Sequence, residues 1–84
     1  MKVILLEPFP GRYFAGRVEF ELEAPNLFAL VRGLDSIGPG FAETAGEDAA
    51  IAVDGVMRAD WSAPLGGARE VLVVPRIAGG QEGF

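Results

Sequence analysis

The sequence predicts an α+β domain in which one main helix crosses a mixed sheet of about five strands. Residues 17–23 (RVEFELE) alternate apolar and charged side chains with the period of a half-buried strand. Residues 27–34 repeat apolar side chains at helical spacing. Residues 70–74 (EVLVV) form a β-branched run typical of a strand buried on both faces. A chain of 84 residues has room for one core and one domain.

The chain opens with a predicted hairpin. Residues 2–6 (KVILL) are a short apolar run followed by prolines, which favours a first, central strand. Residues 17–23 supply the second strand. One of its faces carries Val18, Phe20 and Leu22, and the other carries Arg17, Glu19, Glu21 and Glu23. We expect the charged face to be solvated.

The loop between these strands is rich in aromatic residues. It contains Phe9, Tyr13 and Phe14. These side chains either cover the core or form a binding surface, and the sequence leaves both interpretations open.

The helix is predicted to begin at Pro25-Asn26, because an asparagine side chain can cap free backbone amides. It ends before Gly38-Pro39-Gly40. Its apolar positions are Leu27, Leu30, Val31 and Leu34. The sheet face predicted beneath them contains Val18, Phe20, Leu22, Leu72 and Val74.

The second half is predicted to be mostly strand. Phe41 and Ala42 begin at most one helical turn, and residues 42–50 (AETAGEDAA) are interpreted as an acidic surface connection. Residues 50–53 (AIAV) form a strand that the Asp54-Gly55 turn joins to a short partner. Trp61 is assigned to the core, and residues 64–67 turn the chain into the final strand.

Composition restricts the chemistry that this chain can carry out. It has no cysteine and no histidine, which excludes thiol catalysis and removes the commonest general base. No pair of carboxylates shows a catalytic spacing, so we expect no enzyme. A net charge of −5 with scattered basic residues argues against nucleic-acid binding and favours a basic protein partner. No transmembrane or secretion segment is evident, which predicts a soluble, cytoplasmic protein with no membrane partner.

The order strand, strand, helix, strand, strand, strand is that of the ubiquitin-like β-grasp fold. In that fold the first and last strands run parallel in the middle of the sheet. We therefore predict a β-grasp domain over residues 1–76. Residues 77–84 are expected to form a flexible tail with a glycine doublet at Gly79-Gly80.

Residues 50–80 (AIAVDGVMRADWSAPLGGAREVLVVPRIAGG) resemble the C-terminal half of the MoaD and ThiS sulfur carriers. That resemblance implies adenylation of a glycine carboxylate, here through Gly79 and Gly80, by an activating enzyme that uses ATP and magnesium. Pro75, Arg76, Ile77 and Ala78 would contact that enzyme. The chain itself would bind no cofactor and no metal. It departs from the family at residues 67–70 (GARE), where Asp-Gly-Asp-Glu is usual.

A second departure is that four residues follow the glycine doublet. These are Gln81, Glu82, Gly83 and Phe84. The resemblance implies a removable extension, trimmed by a zinc peptidase of the JAB type to leave Gly80 as the mature end. The activated carrier would then take up sulfur as a thiocarboxylate, or be conjugated to an amine. If a conjugate forms, chains of this modifier are expected to grow only from Lys2, the sole lysine, or from the α-amine.

A second resemblance implies a different function. The segment VVPRIAGG, together with Gly-Pro-Gly-Phe at residues 38–41, is similar to the ubiquitin-like domain of phage tail assembly protein I. This alternative implies a structural or assembly role on the same fold, without activation. Both resemblances predict a β-grasp domain.

Overall fold

The computed structural model describes residues 1–76 of the chain. The elements in chain order are β1 (Lys2–Leu5), α1 (Phe9–Tyr13), β2 (Glu19–Glu21), α2 (Leu27–Ile37), α3 (Phe41–Asp48), β3 (Ala49–Val53), β4 (Val56–Met57) and β5 (Glu70–Pro75). The five strands form one sheet in the order β2-β1-β5-β3-β4. β1 and β5 are parallel in its centre, and the other three pairs are antiparallel. The predicted mixed five-stranded sheet of a β-grasp is confirmed.

Helix α2 begins and packs as its sequence predicts. The Asn26 side chain accepts a hydrogen bond from the Ala29 amide at 2.8 Å, which satisfies one of the free donors of the first turn. The four predicted apolar side chains of the helix are buried. They are Leu27, Leu30, Val31 and Leu34. The sheet residues that join them in one core cluster are Val3, Leu5, Phe20, Ala49, Ile51, Val53, Val71 and Val73.

The predicted face of the last strand is wrong. Val71 and Val73 belong to the core, whereas Leu72 and Val74 are half-buried on the opposite face of the sheet. The run EVLVV is apolar at four consecutive positions, so its pattern contains no period of two that could identify the inner face. The prediction that this strand is buried on both faces is also wrong, because its outer face is only half-buried.

The second strand is shorter than the alternating pattern predicts. Pairing is confined to Glu19–Glu21, and Val18, predicted in the core, is 48% exposed. The Leu5 amide still bonds to the Val18 carbonyl at 2.8 Å, so the backbone follows β1 without covering the Val18 side chain. Phe20 is buried as predicted, and Leu22 is partly buried against the core.

The aromatic loop covers the core. Residues 9–13 form the short helix α1, and Phe9 and Phe14 are buried while Tyr13 is partly buried. Phe14 lies edge-to-face with Phe20 at 5.1 Å and with Phe41 at 5.2 Å between ring centroids. Of the two interpretations left open by the sequence, the structure supports the lid on the core.

The predicted acidic connection is instead a helix. α3 spans Phe41–Asp48 and buries Phe41 and Ala45, one turn apart. The Asp35 carboxylate at the end of α2 accepts bonds from the Gly40 amide at 3.0 Å and the Ala42 amide at 2.9 Å, which joins the two helices. The sequence pattern did not predict this helix, because its buried stripe is narrow and one of its two buried residues is only an alanine.

The Asp54-Gly55 turn between β3 and β4 is confirmed and has a further contact. Asp54 and Gly55 have φ of 50° and 85°, the left-handed conformation that such hairpin turns need. The Asp54 carboxylate accepts bonds from the Arg69 amide at 3.0 Å and the Glu70 amide at 2.9 Å. The turn therefore holds the start of β5.

Leu30→Ala should lower the free energy of unfolding by about 2–5 kcal/mol, because the side chain is buried between α2 and the sheet and leaves a cavity. Arg32→Ala, on the exposed side of the same helix, should change it by no more than about 0.5 kcal/mol. Chemical denaturation of both variants measures the difference. Equal midpoints for Leu30→Ala and the unsubstituted protein would rule out this core.

Asp54→Asn should destabilise the protein at neutral pH, by an amount that decreases in acid. The bonds from the Glu70 and Arg69 amides hold the pKa of the Asp54 carboxyl below its ordinary value. This contribution is therefore present above the unfolded pKa, about 3.9, and is lost as pH falls through the lower folded pKa. Denaturation at about pH 6 and about pH 3 measures the gap.

Glu47→Gln, on the exposed surface of α3, is the matched control and should show a smaller change between the two pH values. A stability gap for Asp54→Asn that is as large in acid as at neutral pH would show that the charge of Asp54 contributes nothing.

Candidate functional site at the end of strand β5

The described chain ends at a backbone anchor. Pro75, the last residue of β5, lies opposite Ala49 in the register with β3. The Arg76 amide then donates to the Asp48 carbonyl at 2.6 Å, and its guanidinium reaches the Ala49 carbonyl at 3.4 Å. The junction of α3 and β3 thus holds the chain as far as Arg76. Any segment that follows starts at this end of the central strand.

An open cleft of about 350 Å³ lies beside this anchor. Its lining residues are Phe28, Gly46, Ala59, Asp60, Trp61 and Arg76. Phe28 is 54% exposed and lies edge-to-face with Trp61, with 5.9 Å between ring centroids. Trp61 was predicted in the core, but it is only partly buried and forms a wall of the cleft.

Backbone hydrogen bonds position the aromatic pair. The Trp61 carbonyl accepts from the Leu27 amide at 3.0 Å and from the Phe28 amide at 3.2 Å, both in the first turn of α2. Two of the free donors of that turn are therefore satisfied by the segment that carries Trp61. The relative position of the two rings is fixed by the start of the helix.

The cleft carries charges of both signs. Asp60 accepts bonds from the Ser62 hydroxyl at 2.6 Å and the Ser62 amide at 2.9 Å. The hydroxyl bond first, and the amide bond second, hold the pKa of the Asp60 carboxyl below its ordinary value. Asp60 is therefore ionised at neutral pH, and the Arg76 guanidinium is the cation of the same cleft. The cleft can contact apolar, anionic and cationic groups of a protein partner.

Two features of this cleft were missed by sequence reasoning. Gly46 lies in α3, the helix that was interpreted as a loop. Phe28 could have been recognised from the sequence. It is a large aromatic residue that lies outside the apolar stripe of the helix, which begins with Leu27 and Leu30. An aromatic residue on the polar face of an amphipathic helix indicates a surface feature.

The face of the sheet opposite α2 carries both apolar and charged side chains. The strand registers place on it the apolar residues Ile4, Ala50, Ala52, Leu72, Val74 and Met57, and the charged residues Lys2, Glu19, Glu21 and Glu70. Leu6 is 43% exposed and Met57 is 58% exposed. Within residues 1–76, the helices contribute their buried side chains to the core on the other face of the sheet.

The predicted site residues fall into three groups. Pro75 and Arg76 lie at the anchor of β5. Ile77, Ala78, Gly79, Gly80 and the extension Gln81, Glu82, Gly83 and Phe84 lie outside the described residues. Lys2 is exposed and pairs in register with Glu70, so it lies where β5 begins, at the end of the sheet opposite Pro75.

Within residues 1–76, no group of three or more acidic, histidine or cysteine side chains is placed to hold a metal ion. No helix of that part of the chain is long and apolar enough to span a membrane. Comparison of the chain with protein-family models, with curated proteins and with solved structures finds no match.

Proposed function

We propose that this chain is a ubiquitin-like carrier or modifier of the MoaD/ThiS type. Residues 81–84 are removed, and the carboxylate of Gly80 is then adenylated by a partner enzyme. One observation supports this function above the others: the central strand β5 is anchored as far as Arg76, and the glycine doublet follows three residues later in the sequence.

The spacing suits a reaction inside a partner's cleft. The five residues from Arg76 to Gly80 extend at most roughly 16 Å at ~3.3 Å each. Glycine lacks a Cβ, so the backbone at Gly79 and Gly80 can approach closely inside a narrow pocket. At that maximum reach, the Gly80 carboxylate could enter a partner's pocket while the folded domain stayed outside it.

The chemistry is acyl activation. The Gly80 carboxylate attacks the α-phosphate of ATP, pyrophosphate leaves, and an acyl-adenylate forms. A sulfur donor then displaces AMP to give a thiocarboxylate. Alternatively, an enzyme thiol displaces AMP to form a thioester, and an amine then displaces the thiol to form an amide conjugate. In both routes this chain is the substrate, and the adenylating enzyme supplies the ATP and magnesium sites.

The surfaces of the domain suit such a partner. The cleft of Phe28, Trp61 and Arg76 adjoins the anchor from which the tail starts. The net charge of −5 favours association with a basic surface. An enzyme that binds the tail can therefore recognise the domain beside it.

The protein ending at Gly80 should support ATP–pyrophosphate exchange with a MoaD/ThiS-type adenylating enzyme of its own host, whereas the 84-residue chain should not. In the longer chain residue 80 is part of an amide, which offers no carboxylate to attack phosphate. Mass spectrometry of the protein from its host should find a form that ends at Gly80.

The second glycine doublet, Gly66-Gly67, provides the matched control. In the protein ending at Gly80, Gly80→Ala should lower the exchange rate at least about tenfold, or ~1.4 kcal/mol in activation free energy. Gly66→Ala should leave it unchanged, because a Cβ there meets no atom within 4 Å. If the host protein retains Phe84 and the shortened protein is inert, the assembly role of the phage tail family replaces this proposal.

A further inference from the structure

The cleft beside Arg76 presents large aromatic side chains to solvent. Of its lining residues only Trp61 is partly buried, and the others, including Phe28, are exposed. Gly46 has no side chain and Ala59 has only a methyl group, so another surface can approach the backbone closely there. Tryptophan, phenylalanine and arginine are enriched in the centres of protein interfaces. The composition of the cleft is therefore that of a contact between proteins.

The two charged groups of the cleft are not neutralised inside the domain. Both hydrogen bonds that Ser62 donates to the Asp60 carboxylate go to Oδ1, so within residues 1–76 Oδ2 accepts no bond. Within the same residues the Arg76 guanidinium bonds to the Ala49 carbonyl alone, at the long distance of 3.4 Å. No ion pair of the described chain includes Asp60 or Arg76. Each group can therefore pair with a charge on another molecule.

The opposite signs of these two groups decide which partner fits. A basic surface would be attracted by Asp60 and repelled by Arg76, and an acidic surface would be repelled by Asp60. Only a surface that carries one charge of each sign complements both groups. The cleft is itself such a surface, because a second copy supplies a cation for Asp60 and an anion for Arg76.

A two-fold axis produces this pairing. An axis in the plane of contact, midway between the two charges, places Asp60 of each copy opposite Arg76 of the other. The aromatic pairs of both copies enter the same contact, and every interaction occurs twice. Since backbone hydrogen bonds from the Leu27 and Phe28 amides already hold the Trp61 segment, little of it has to be ordered on association.

We propose that the cleft is a two-fold contact between two copies of this chain. Asp60 of each copy pairs with Arg76 of the other, and Phe28 and Trp61 are buried between them. The contact does not depend on the proposed function, because it uses only side chains of residues 1–76. Under the proposed function, the adenylating enzyme and the second copy compete for the same cleft.

Analytical ultracentrifugation of the 84-residue protein measures this association. Concentrations from ~10 µM to ~1 mM cover the dissociation constants of transient contacts, and ~0.15 M salt screens the repulsion between two copies of net charge −5. A monomer should be replaced by a dimer as the concentration rises. Trp61 is the sole tryptophan, so its fluorescence should shift to shorter wavelength over the same range as its ring leaves water. A protein that stays monomeric throughout this range would overturn the proposal.

Exchange of the two charges tests the pairing itself. Asp60→Arg places two guanidinium groups together and Arg76→Asp places two carboxylates together, so each should raise the dissociation constant at least about tenfold. The double variant of Asp60→Arg and Arg76→Asp restores opposite charges at an unchanged net charge, and it should restore association. Glu19→Arg, on β2, changes the net charge as much as Asp60→Arg does and should not weaken association. A folded double variant that associates no better than the single variants would overturn the pairing.

Phe28→Ala tests the aromatic part of the contact without a change of charge. The side chain is 54% exposed in the single copy, so the fold should be unaffected. The loss of this ring from both copies should raise the dissociation constant at least about tenfold. Val56→Ala removes an exposed apolar side chain of β4 outside the cleft and should leave the dissociation constant unchanged. Equal dimerisation of Phe28→Ala and the unsubstituted protein would show that the copies meet through another surface, and would overturn the proposal.

Discussion

The parallel pairing of β1 with β5 is the constraint on which the rest of the structure depends. It joins the two ends of the domain, with Val3 opposite Val71 and Leu5 opposite Val73 in the core. A parallel pair cannot be closed by a tight turn, so the whole intervening chain forms the crossover. The helices cover one face of that pair, and β2 and β3 flank it. The same pairing brings the final strand to the middle of the sheet, where the chain is anchored at Arg76.

Much of the fold could be predicted because local signals and tertiary contacts agree. Asn26 is both a favourable cap by sequence and the cap observed, and Asp54-Gly55 is both a favourable turn and the turn observed. The predictions fail where the local sequence pattern does not show which residues of an element face the core. EVLVV has no alternation, so its inner face is decided by the register with β1. α3 is held by the Asp35 side chain, which bonds to amides five and seven residues later, and by packing of Phe41 against Phe9 and Phe14. The pattern of apolar residues within 42–50 contains neither contact.

The site was only partly predictable for a related reason. The glycine doublet and Lys2 can be identified from the sequence alone. The cleft beside Arg76 cannot, because its lining residues Phe28, Gly46 and Trp61 come from segments that are far apart in sequence. Lys2 lies where β5 begins and Arg76 lies where β5 ends, so the two residues are at opposite ends of the sheet.

Native-state hydrogen exchange, followed residue by residue by NMR, tests the central pairing most directly. Amides of β5 that bond to its neighbours lie inside the sheet and should be among the slowest to exchange, at rates that report global unfolding. Amides of the edge strands β2 and β4 should exchange faster through local opening. β5 amides that exchange as fast as those of β4 would contradict a central β5, and with it the anchor that places the tail at the end of the central strand.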